Sequence, residues 1–151
     1  MKKSGKFAST AASPASVCPC GGIEPGWSFD ACCGRYLTPF DLDPALPGSS
    51  APTPQALMRS RYSAFVLGKE AYLLASWHAS TRPPIAHSRD GAQWLGLEVK
   101  HHSMDGDAGM VEFVARYKLQ GRAHRLHEVS RFVRENGHWY YLDGEFPKNQ
   151  A

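Results

Sequence analysis

At Trp94 the hydrophobic period of the chain changes from that of a helix to that of a strand, and this change sets the architecture. Beyond it, Val111, Phe113, Ala115, Tyr117 and Leu119 alternate with Glu112, Arg116 and Lys118, as side chains do when one face of a sheet is covered. Turn residues at Asp105-Gly106, Gln120-Gly121 and Asn136-Gly137 divide the region into about four strands. The last pair suits a two-residue type I′ loop, which needs positive φ at both positions. Before Trp94, Thr53-Pro54 is a helix start, because Thr caps and Pro fits the first turn. Gln55 to Leu67 follows, with Met58, Tyr62, Phe65 and Val66 along one face and Gly68 as its stop. A second helix is expected from Lys69 to about Trp77, broken before Pro83-Pro84. Helices first and an antiparallel meander afterwards predict an α+β fold.

The faces of the last hairpin follow from its turn. With a two-residue loop at Asn136-Gly137, Glu135 faces His138, Arg134 faces Trp139, and Phe132 faces Tyr141. Further out, Ser130 faces Asp143 and Glu128 faces Glu145. Opposed residues share a face, so one face carries Glu128, Ser130, Phe132, Trp139, Tyr141 and Asp143. The other carries His127, Val129, Arg131, Val133, Tyr140 and Leu142. Both mix apolar and ionisable groups, which points to a curved sheet around a partly polar cavity rather than to a sheet with one clean apolar face. Candidate cavity residues are Arg59, Arg61, Tyr62, Trp77, His78, His127, Glu128, Arg131 and Asp143. An acid there could act as a general acid or base, although an ion pair with Arg59 or Arg61 is the commoner arrangement. Arg59 and Arg61 are two residues apart and do not share a helix face. Trp77 and Tyr62 suit a core as well as a ligand wall, and His78 can answer terminal helix carbonyls.

All four cysteines lie in one short run: Cys18-Pro19-Cys20, eleven residues, then Cys32-Cys33. Such a set can place four sulfurs around one ion, and zinc takes four thiolates with no open position, which makes the site structural. Iron fits the same ligand type, and a redox-sensing dithiol at Cys32 and Cys33 is a further alternative. Gly21, Gly22, Gly26 and Gly34 allow the tight turns a metal loop needs, and Arg35 is placed to offset thiolate charge. Clustered thiols without an apolar leader run suggest a reducing, cytoplasmic setting. The chain's net charge of +3, from 17 basic and 14 acidic residues scattered evenly, gives no reason to expect nucleic acid as a partner. No run approaches the roughly 18 apolar residues of a membrane span.

The segments Cys18-Pro19-Cys20-Gly21 and Cys32-Cys33-Gly34 resemble the SEC-C motif, a zinc knuckle. LMRSRYSAFVLGKEAYLLASWHASTRP, residues 57–83, and LHEVSRFVRENGHWYYLDG, residues 126–144, resemble the YchJ family of small bacterial proteins. The resemblance implies a SEC-C knuckle joined to a nuclear transport factor 2-like domain, a cone of helices on a bent antiparallel sheet. It implies the metal role for Cys18, Cys20, Cys32 and Cys33 and brings no catalytic residues. The eleven-residue loop is longer than the motif usually has, and it lacks the lysines usual there. Loop entropy rises slowly with length, so a metal can still close it. The expected organisation is a flexible tail at 1–16, the knuckle at 17–35, a Pro-rich connector at 36–51 and the α+β domain at 52–147. The expected function is that of a cytoplasmic zinc-binding adaptor that docks a protein through its knuckle and holds a small molecule in its cavity. The alternatives are a small isomerase, dehydratase or hydrolase using an acid or His in the cavity, and the thiol sensor.

Overall fold

The computed structural model describes residues 16–45, 48–86 and 91–147, so all but the last residue of the expected tail lies outside the described residues. Helices α1 (Gly34–Leu42), α2 (Pro54–Leu67) and α3 (Glu70–Ala75) precede strands β1 (Gln93–Asp105), β2 (Ala108–Leu119), β3 (Arg122–Glu135) and β4 (His138–Glu145). The strands form one antiparallel sheet in sequence order, and α2 packs against β1, β2 and β4. This is the expected α+β arrangement.

Helix α2 begins and ends for local reasons. The Thr53 hydroxyl accepts from the Ala56 N–H at 3.1 Å, satisfying one of the donors a helix start leaves open. Gly68 closes the helix at φ 74°, a left-handed cap that glycine adopts without steric cost. Leu57 is fully buried and belongs to one core cluster with Leu37 of α1 and Leu73 of α3, and each such side chain contributes about 1.5–3 kcal/mol. Helix α3 stops at Ala75, earlier than expected, because the following residues join the sheet. His78 N–H donates to the Tyr141 carbonyl and Tyr141 N–H to the Ser76 carbonyl, both at 2.8 Å. The β4 edge is thereby covered at that point.

Helix α1 corrects the connector expected at 36–51. Pro39 lies inside it, which removes one intrahelical hydrogen bond and costs about 3 kcal/mol. Burial of Tyr36, Leu37 and Phe40, at about 1.5–3 kcal/mol each, outweighs that cost. Proline count alone therefore misled at this segment.

Two sheet details also differ from expectation. The first turn is Gly106-Asp107, since Asp105 already pairs with Ala108. The other two turns fall as expected, with Gln120 and Asn136 at φ 52° and 53° and each followed by a positive-φ glycine. In the β3–β4 hairpin the expected register holds from Glu135–His138 to Phe132–Tyr141 and then slips by one. Arg131 faces Asp143, Ser130 faces Gly144, and Val129 faces Glu145. Leu142 is the extra residue, and its carbonyl accepts from the Thr81 hydroxyl at 2.6 Å. A bulge turns every side chain beyond it to the other face. Asp143 consequently points outward, and Gly144 occupies the inner position.

Candidate metal centre and inner cavity

The cysteine loop is closed by backbone pairing before any ion is considered. Cys18 N–H donates to the Trp27 carbonyl at 3.0 Å and Phe29 N–H to the Ser16 carbonyl at 2.8 Å. This brings Cys18 and Cys20 across from Cys32 and Cys33, which lead into α1. All four are free thiols and buried, and their sulfurs lie within 4.8 Å of one another. Cys20 and Cys32 sulfurs are 3.6 Å apart. Four ligands at about 2.3 Å in a tetrahedron stand roughly 3.8 Å from each other, so the cradle fits a tetrahedral thiolate site. The N–H groups of Gly22 and Ile23 donate to the Cys20 and Cys32 sulfurs, each at 3.3 Å. Gly22 has φ +96° and leaves no room for a Cβ beside the Glu24 carbonyl, so the turn needs glycine.

The sulfurs divide electrostatically. Hydrogen bonding with Cys20, then Cys33, pushes the Cys18 thiol down, and Cys33 pushes Cys32 down to about 6. Cys20 and Cys33 are pushed up, each chiefly by hydrogen bonding with Cys18. Four thiols this close share protons; a divalent cation would take the place of those protons and let all four ionise. Two groups on α2 support the cluster. Arg59 donates to the Cys20 carbonyl at 3.1 Å and approaches its sulfur at 3.8 Å, and the Ser63 hydroxyl lies 3.5 Å from the Cys18 sulfur. Arg35 donates instead to the Cys32 carbonyl at 3.0 Å. Cys32 and Cys33 are buried, unlike the exposed setting of a sensor thiol.

Between α2 and the inner sheet face lies a cavity of about 330 Å³. Tyr62, Phe65, Trp94, Phe113 and Tyr141 supply much of its wall, and Arg61 and Glu128 are its charged members among the described residues. Arg61 is buried; its Nη1 donates to the Leu73 carbonyl at 2.8 Å and the Ser76 hydroxyl at 2.7 Å. Its guanidinium lies over the Trp77 and Tyr141 rings, 5.1 and 4.7 Å from their centroids. Burial lowers its pKa to about 10, with Tyr141, Tyr72 and Glu128 opposing the shift. Glu128 Oε2 accepts from the Ser130 hydroxyl at 2.9 Å and the Tyr141 hydroxyl at 2.8 Å. Burial and the neighbouring Glu128 push the Tyr141 hydroxyl well above its ordinary pKa, so it remains a donor. A Cβ on Gly144 would overlap the Glu128 carboxylate, so the bulge that removes Asp143 also makes room for Glu128.

The expected cavity set therefore separates. Arg61, Tyr62, Trp77 and Glu128 line the cavity, and the rest do not. Arg59 turns to the knuckle. His78 lies against Ser80 and Glu135, at 2.7 and 3.2 Å. His127 is paired with Glu112 at 2.7 Å, and Arg131 forms a two-pronged pair with Asp143 at 2.7 and 2.6 Å on the outer face. That pairing holds the Asp143 carboxyl below its ordinary range. Ser63 and Ser130 were missed. Ser63 was detectable four residues after Arg59, on the same helix face, and Ser130 shares a strand face with Glu128.

A family model described as "YchJ, middle NTF2-like domain" matches residues 53–144. A UPF0225 protein of Methylibium petroleiphilum is 58% identical over 130 residues, covering 85% of this chain and 87% of the relative. One of Chromobacterium violaceum is 55% identical over 135 residues, covering 85% and 92%. The solution structure of a SEC-C motif containing protein from Rhodopseudomonas palustris matches with a TM-score of 0.68 at 31% identity, over 83% of this chain and 96% of that one. The crystal structure of a SEC-C motif containing protein from Psychrobacter arcticus matches with a TM-score of 0.66 at 26% identity, over 96% and 88%.

Proposed function

This chain belongs to the YchJ (UPF0225) family, and on that premise we propose that it is a zinc-stabilised binding protein rather than a catalyst. The observation that carries this reading is the disposition of its ionisable groups. Of the three acid–base candidates, His127 and Asp143 are paired away from the cavity, and only Glu128 lines it. Glu128 is tied by two hydroxyl donors. A carboxylate oxygen that already accepts two hydrogen bonds suits recognition more than proton transfer. The cavity then holds a small ligand, at a volume within the range of small-molecule sites.

Zinc is the ion proposed for the cysteine cradle, because four buried thiolates close a tetrahedral site and leave no position for chemistry. The knuckle docks a protein partner, with exposed Val17 and Trp27 beside the cluster as its apolar contacts. No helix among the described residues is long and apolar enough to cross a membrane, and a reducing cytoplasmic setting agrees with four free cysteines. Elemental analysis of protein purified under reducing conditions tests the reading. One zinc per chain, lost in Cys20→Ser, is the expected result. A metal-free protein whose thiols oxidise readily would overturn it in favour of redox chemistry at Cys32 and Cys33.

A further inference from the structure

We propose that the inner cavity selects an uncharged ring compound with an amide head, in preference to an acid or an amine of the same shape. This rests on reading the cavity as a ligand site and adds what that ligand must be. Two opposite charges already share the space, Arg61 and Glu128, and the rest of the wall is largely aromatic or aliphatic. Among the described residues their charges balance, so a third charge entering this apolar setting would find no further partner there. A carboxylate ligand would be attracted to Arg61 and repelled by Glu128; an ammonium would meet the reverse. A neutral head meets neither penalty.

The head must still hydrogen-bond. Among the described residues Glu128 takes both of its bonds on Oε2, from Ser130 and Tyr141, so a ligand donor completes it. Among the described residues both bonds of Arg61 leave from Nη1, which leaves its other N–H groups for a ligand carbonyl. A primary amide carries both functions on one uncharged group. The body of the ligand is a ring, because Tyr62, Phe65, Trp94 and Phe113 present aromatic surface around it. Exposed Ile85 and Phe146, at 60% and 58%, stand among the lining residues and mark the mouth.

Four probes of one shape test this: 3-phenylpropanamide, 3-phenylpropanoate, 3-phenylpropylammonium and headless propylbenzene. Binding is read by tryptophan fluorescence, since Trp77 and Trp94 line the cavity, and by backbone amide shifts in NMR. The amide is expected to bind at least about tenfold tighter than either charged probe. Glu128→Gln leaves Arg61 without its counter-charge, so the carboxylate should then overtake the amide. If that variant does not fold, the order of the probes on the natural protein decides alone. Ala115→Leu, which fills the floor of the cavity, is expected to abolish binding of all four. A charged probe binding the natural protein as tightly as the amide would overturn the head-group assignment and leave the cavity reading intact. No response to any probe, propylbenzene included, would overturn the cavity reading itself.

Discussion

Arg59 reaches across 39 residues of chain to donate to the Cys20 carbonyl at 3.1 Å, with the Cys20 sulfur 3.8 Å away. One helical turn later Ser63 reaches the Cys18 sulfur, so a single face of α2 serves the knuckle. Arg61, Tyr62 and Phe65, on another part of the same helix, line the cavity. Helix α2 is therefore the element common to both candidate sites.

Four thiolates around one divalent cation leave a net negative charge, and the Arg59 guanidinium stands 3.8 Å from the sulfur of Cys20. Arg59→Met keeps the length of the side chain and removes the charge. Loss of such a supporting group typically weakens metal affinity about 10- to 100-fold. The same change deletes Nε, which is buried without a partner among the described residues, but it also takes the donor from the Cys20 carbonyl, so the fold should lose about 1–3 kcal/mol. Competition with a chromophoric chelator, set beside urea unfolding, checks both halves. Unchanged metal retention would show that Arg59 serves packing alone.

Gly144 and Glu128 give a steric prediction with its own control. Gly144→Ala places a Cβ into the Glu128 carboxylate, and overpacking of this kind costs about 1–3 kcal/mol. Gly96→Ala, also in a strand, meets nothing within 4 Å and should stay within about 0.5 kcal/mol. Urea midpoints of the two variants should differ in that order. Equal midpoints would mean that Glu128 moves aside at little cost.

The Tyr72 hydroxyl ties α2 and α3 to the segment after α1. Ser60 Oγ donates to the Leu57 carbonyl at 2.8 Å, so it accepts from Tyr72 at 2.6 Å. The buried Ser49 hydroxyl, 2.8 Å from Tyr72, is then a donor to it. Tyr72→Phe would leave the Ser49 hydroxyl proton without an acceptor, at about 1–3 kcal/mol. Burial pushes the Tyr72 pKa up to about 12, so the protonated form persists across ordinary pH. The expected destabilisation is accordingly the same at pH 6 and pH 8, by thermal unfolding.

The parts of the fold legible in sequence are those set by local chemistry. Thr53, Pro54 and Gly68 delimit α2 because a cap, a fixed φ and a left-handed residue act within one turn. Asn136-Gly137 sets the hairpin for the same reason. The cysteine cluster was legible because a group that could hold a metal ion announces itself by residue type and spacing. What escaped depended on contacts distant in sequence. The bulge at Leu142 coincides with Thr81 and residues 76–78 bonding to β4, and no periodicity within β4 encodes it. That one-residue slip sends Asp143 to Arg131 and leaves Glu128 as the cavity's acid. Helix α1 escaped because its burial outweighs a proline that local rules count against it.

The expected division of the chain into knuckle and α+β domain yields the last prediction. The knuckle sulfurs belong to the same buried cluster as Leu57 and Tyr62, yet the sheet is held by ladders that do not involve residues 17–35. Cys20→Ser should thus release the metal and disorder 17–35, since metal binding contributes folding energy directly. The strands should persist, because their ladders lie wholly outside residues 17–35. Amide NMR separates the outcomes: collapsed shifts confined to 17–35 with dispersed strand signals support two parts. Global unfolding by circular dichroism would instead make the knuckle an integral wall of a single core, with α2 depending on Arg59 and Ser63 for its position.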